Sequence, residues 1–146
     1  MPTPRRPKPE DGGSFTAEER SAMLEARRER RKGLKSDGEA DLLAKIAEMD
    51  ESDRALAQAI HAIIKTTAPD LSPKTWYGMP AWANSAGKTV CYFTPAGKFK
   101  TRYAGFGFNE HAALDEGNMW PTAFALVQLG AHEKERITEL VSKAAG

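Results

Sequence analysis

Residues 75–82 read Thr-Trp-Tyr-Gly-Met-Pro-Ala-Trp, and the reading of this TWYGMPAW stretch decides the fold. Two tryptophans, a tyrosine and a methionine crowd around one glycine and one proline. Gly78 admits a positive φ or a close backbone approach. Pro80 drives Met79 toward extended geometry and has no N–H to give to a central ladder. The stretch therefore reads as a bend or bulge between two strand pieces, with Trp76 and Trp82 on either side of it and packed on one face. So much ring surface has two explanations. It is heavy packing at a sheet corner, or it is one wall of a small-molecule groove lined by Trp76, Tyr77, Met79, Trp82, Tyr92 and Tyr103.

Outward from the bend, residues 73–108 keep one texture. The short runs KTWY, AWAN, KTVCYF and FKTRYA read as strands, and SAG (85–87) and PAG (95–97) as hairpin turns. In KTVCYF, alternation sets Val90 and Tyr92 on one face and Cys91 and Phe93 on the other. NEHAALDEG is a loop or short helix, MWPTAFALVQL holds one more strand, and the last fifteen or so residues form a helix burying Ile137, Leu140, Val141 and Ala144. On the N-terminal side two helical stripes are legible. Leu42, Leu43, Ile46 and Met49 mark one. Leu56, Ile60, Ile63, Ile64 and Thr67 mark the next, which Asp50 caps, with Asp53 in its first turn and Pro69 beyond its end. Tight hairpins imply antiparallel pairing, so the fold class is α+β: a sheet of about five strands with helices packed on it.

Residues 1–36 differ from the rest. They hold ten Lys/Arg and six Asp/Glu, whereas 37–146 holds eleven and fourteen. The expected organisation is a flexible basic tail, 1–36, and an α+β domain, 37–146. Thr16 followed by Glu19 has capping-box spacing and opens a helix with a thin apolar face, Met23 and Leu24. Its run Arg27, Arg28, Arg30, Arg31 and Lys32 reads as a solvated face, or else as a surface for nucleic acid or a partner. The mildly acidic body speaks against nucleic acid as its own ligand. No apolar run approaches the ~18 residues of a membrane span, no apolar segment follows the first basic residues as a secretory signal would require, and Cys91 is the sole cysteine. These features point to a cytoplasmic protein.

The series YGMPAW, then GKTVCYF, then KFKTRY, then an aromatic–Pro strand and a terminal helix resembles the YdhG-like domain family, small bacterial proteins of largely unknown function. The resemblance spans about residues 39–144. It implies a frataxin-like sandwich with helices on one sheet face. Because the family includes a frataxin-like iron chaperone, it also implies weak, exchangeable iron handling. It supplies no catalytic residues.

The chemistry legible in the residues themselves is sparse. GxSxG, P-loop and GxGxxG patterns do not occur, and no HxxxH, HExxH or CxxC suggests zinc. Two acidic groups are candidate metal ligands: Glu48, Asp50, Glu51 and Asp53, and a second set of Glu110, His111, Asp115 and Glu116, in which His111 and Asp115 share a face if that segment is helical. Lys98, Lys100 and Arg102 alternate along a strand, so all three project from one face. They form either a solvated face or an anion-binding row. The expected activity is non-enzymatic binding of iron or a small anionic ligand; the alternative is docking through the Arg-rich helix.

Overall fold

The computed structural model describes residues 16–32 and 38–146, with the backbone alone for 26–32. Its elements in chain order are α1 (Ala17–Lys32), α2 (Gly38–Ala47), α3 (Glu51–Thr67), β1 (Ser72–Trp76), β2 (Met79–Ala83), β3 (Thr89–Thr94), α4 (Ala96–Phe99), β4 (Ala104–Phe108), β5 (Ala123–Leu126) and α5 (Ala131–Ala145). The five strands form one antiparallel sheet in the order β1-β2-β3-β4-β5. Among the described residues no helix is long and apolar enough to cross a membrane.

The helices begin where their caps place them. Thr16 Oγ1 accepts from Glu19 N and Glu19 Oε1 accepts from Thr16 N, a reciprocal capping box. Asp50 Oδ1 accepts from Asp53 N at 3.0 Å and starts α3. The stripes of α2, α3 and α5 pack on one face of the sheet, with Leu42, Ile46, Ile60, Ile64, Ile137 and Val141 meeting Trp82, Cys91, Phe93 and Phe106. Each fully buried large apolar side chain contributes roughly 1.5–3 kcal/mol relative to exposure. Leu43, expected on the α2 stripe, instead faces solvent.

TWYGMPAW is a hairpin tip rather than a bulge. Trp76 pairs with Met79, and the two residues between them, Tyr77 (φ 52°) and Gly78 (φ 75°), are both left-handed. That is a type I′ turn, whose twist matches that of the flanking strands. Pro80 is tolerated because the β2–β3 register runs only from Ala81 to Ala83. The pairing also separates the two tryptophans. Trp76 shares a face with Met79, Ala81 and Tyr92, and Trp82 points the other way, into the core.

Three further expectations are corrected. The β2–β3 register slips by one residue, so that Val90 joins Cys91 in the core instead of siding with Tyr92. PAG is no hairpin turn and FKTRYA is mostly not a strand: Pro95 leads into the single turn of α4, Lys100 is left-handed (φ 55°), and β4 begins only at Ala104. NEHAALDEG is an irregular loop, tied to the end of α5 by Ala113 N donating to Ala144 O.

Candidate functional site: a charged pocket at the hairpin tip

The β1–β2 tip, the end of α2, the start of α3, α4 and α1 meet around a pocket of about 370 Å³, lined by Glu25, Lys45, Glu48, Met49, Asp50, Asp53, Gly78, Pro95, Gly97 and Lys98. Its floor is built by Asp53. This carboxylate is buried and accepts from Ala96 N (3.1 Å) and Gly97 N (2.8 Å). The two donors are the first amides of α4, so a residue in the first turn of α3 holds the chain in a helical turn 43 and 44 positions later. That contact replaces the expected strand and sets Lys98 toward the pocket.

Lys98 Nζ donates to Gly78 O (3.2 Å) and to both oxygens of Glu25 (3.3 Å each). Lys45 Nζ, from α2, reaches Glu25 Oε2 at 2.8 Å and Glu48 at 3.7 Å. One carboxylate on α1 thus sits between two lysines from separate elements, all three largely withdrawn from solvent. Burial raises the Glu25 pKa, but the Lys45 hydrogen bond and the charges of Lys98 and Lys45 outweigh it, leaving the group below the usual carboxylate range. Gly78 is required here twice over. Its φ is left-handed, and a Cβ would run into Lys98 Nζ and the Glu25 carboxylate.

Lys100 makes the same kind of contact one step along, reaching Glu18 Oε1 at 2.8 Å. The hydrogen bond and charge of Glu18 raise the Lys100 pKa, and Lys100 in turn lowers that of Glu18. Glu18, Ala22 and Glu25 lie at i, i+4 and i+7, one face of α1. Ala22 between the two glutamates is buried, whereas Met23 and Leu24 are exposed. The docked face of α1 is therefore an acidic stripe, not the apolar pair that the sequence suggested.

A second polar cluster lies in the core. Trp82 Nε1 donates to His61 Nδ1 at 3.2 Å, and His61 Nε2 lies 2.9 Å from Glu39 Oε2, which Lys65 also holds at 2.9 Å. An indole N–H only donates, so Nδ1 accepts and the proton of a neutral ring stays on Nε2, directed at Glu39. Glu39 is lowered by Lys65 first and His61 second. Glu39–His61 has the outline of an acid–base dyad, but the nitrogen that would face a substrate is taken by a fully buried tryptophan.

The structure distributes the remaining candidates as follows. The aromatic groove divides between the two faces of the sheet. Trp82 is in the core. Trp76 contacts Tyr77 (ring centroids 4.9 Å apart) and Tyr92 (5.1 Å) on the opposite face, and Met79 Sδ accepts from Thr94 Oγ1 there. Tyr103 is an exposed residue with Arg102 over its ring. The cation row does not exist as a strand face: Lys98 enters the pocket, Lys100 meets Glu18, and Arg102 takes part in neither contact. Of the first acidic group, Glu48, Asp50 and Asp53 line the pocket, with Asp50 and Asp53 engaged in capping, and Glu51 is exposed on α3. Glu110, His111, Asp115 and Glu116 are exposed along the irregular loop rather than on a helix face; His111 lies 3.8 Å from Glu110, and Glu116 lies 3.6 Å from Lys143. Among the described residues no three His, Cys, Asp or Glu side chains converge to hold a metal ion. The side chains of Arg27, Arg28, Arg30, Arg31 and Lys32 lie outside the described residues. Cys91 is buried and its thiol is pushed far up by burial, so it holds no thiolate.

Glu25 and Lys45 were missed from sequence. The available signal was the i, i+4, i+7 placement of Glu18, Ala22 and Glu25 on a helix otherwise rich in arginine. No protein-family model, curated protein or solved structure matches the chain.

Proposed function

We propose that this chain is a non-catalytic binding protein whose ligand site is the pocket beside the hairpin tip, and that its ligand is a small molecule carrying a carboxylate. The observation that carries the reading is the convergence of Lys45 and Lys98 on a single carboxylate at a pocket large enough for a metabolite. Two ammonium groups on separate elements, one braced by the Gly78 carbonyl, form a site pre-shaped for one anionic group. Glu48 and Asp50 on the same rim favour ligands that also carry a positive group, so a zwitterion suits the pocket better than a polyanion.

The order of the elements and the helices packed on one sheet face support the YdhG-like, frataxin-like reading, and the single buried Cys91 supports a reducing, cytoplasmic setting. The iron expectation rests on that resemblance and on the carboxylates Glu48, Asp50, Glu51 and Asp53. The test is a two-dimensional NMR titration of the full chain with glycine and with succinate, and in parallel with Fe(II) under anaerobic conditions. Localised amide shifts at Gly78, Gly97 and Lys98 with glycine or succinate are expected. Shifts with Fe(II) alone, centred on 48–53, would move the assignment to iron, and no shift with any of the three removes the site.

A further inference from the structure

We infer that α1 is a built-in competitor for this pocket: the Glu25 carboxylate occupies the place of the ligand's carboxylate, and ligand entry requires α1 to lift away. The inference rests on the reading of the pocket as a carboxylate site. Three observations carry it. First, Glu25 makes with Lys45 and Lys98 the contacts that an incoming carboxylate would make, at 2.8 Å and 3.3 Å, with Gly78 O completing the Lys98 shell. Secondly, α1 is held to the body by little else. Its docked face offers Ala22, which is buried, and Glu18, whose partner Lys100 is solvent-exposed, while its larger apolar residues, Met23 and Leu24, point to solvent. Exposed ion pairs contribute only about 0–1 kcal/mol each, so the helix detaches at small cost. Thirdly, the pocket is assembled without α1: the Asp53 bonds to Ala96 and Gly97, the Asp50 cap and the type I′ tip all belong to the body. Lifting α1 exposes a formed site rather than unfolding one.

A helix that must leave before ligand binds lowers the apparent affinity by the fraction of time that it is away. The test uses the full chain, with glycine and succinate as probes and amide shifts as the readout, in the wild type, Glu25→Gln and Glu19→Gln. Glu19 removes the same charge from the same helix but contacts only Thr16. The inference expects Glu25→Gln to bind about tenfold more tightly than wild type, Glu19→Gln to match wild type, and amides 17–25 of the wild type to shift toward their detached positions as ligand is added. Binding by wild type and Glu25→Gln with equal affinity overturns the inference and leaves the site standing. Equal tightening by Glu19→Gln also overturns it, since net charge would then be the cause. No binding by any of the three overturns the site, and the inference with it.

Discussion

Two glutamates at the N-terminal side of the chain each bridge cationic groups, and the bridges behave differently. Glu39 ties the start of α2 to α3 through His61 and Lys65, and His61 passes the connection to Trp82 in the middle of the sheet. Glu25 ties α1 to α2 and α4 through Lys45 and Lys98. The first network ends in a fully buried indole, so it cannot open without exposing core. The second ends in a helix whose bulky apolar residues face solvent, beside a pocket. A charged cluster is structural when its polar atoms are consumed by partners that cannot leave. It is a candidate site when one of those partners is displaceable. By that criterion the buried histidine, the more enzyme-like feature at first sight, is scaffold.

The sharpest way to break the comparison is to remove Trp82. Trp82→Ala opens a cavity and orphans His61 Nδ1, and is expected to cost about 3–5 kcal/mol in a urea or thermal unfolding measurement. A cost near zero would mean that the core network is not the anchor described. Gly78→Ala comes next. Forcing an L-residue into the left-handed tip costs roughly 1–2 kcal/mol, and the new methyl displaces Lys98 and Glu25. Unfolding should therefore show a modest loss of stability, and the amides of 17–25 should move toward a detached state. The smallest effect is acid release of α1. Glu25 is depressed in the folded chain, so its contribution is fully present above the unfolded value of about 4.3 and is lost as pH falls through the lower folded value. Amides of α1 should detach in that window before the core melts, and added salt should help them, since these pairs are only partly shielded. Simultaneous loss of α1 and core would contradict the difference between the two bridges.

Much of the fold is legible because it is local. Thr16 with Glu19, Asp50 with Asp53, the α3 stripe and the Ser85–Gly87 turn are read from neighbours a few residues away, and each stands where its spacing places it. What is not legible is what distant residues impose. Alternation of Lys98, Lys100 and Arg102 is a sound strand signal until Asp53, far upstream, captures two amides and winds the segment into α4. A tyrosine at the first position of a type I′ turn goes against the usual preference for Asn, Asp or Gly, so the tip read as a bulge. It is held by the Trp76–Tyr77 ring contact, which no pattern announces. The candidate anion row was half right in chemistry and wrong in geometry. Lys98 and Lys100 do bind anionic groups, but the groups belong to α1, and an acidic docking stripe is invisible to a search for apolar faces.

The strand order has a kinetic consequence. Each strand pairs with its sequence neighbour, from β1 through β5, so the sheet can be laid down as a zipper in which every step closes a short loop. Loop-closure entropy is small at each such step, and chains whose contacts are local reach the native state faster than those that wait for remote pairings. The long-range closure left over is α5 onto α3. The nascent chain can thus complete its binding pocket, which uses nothing beyond Lys98, before the segment that seals its core has been synthesised.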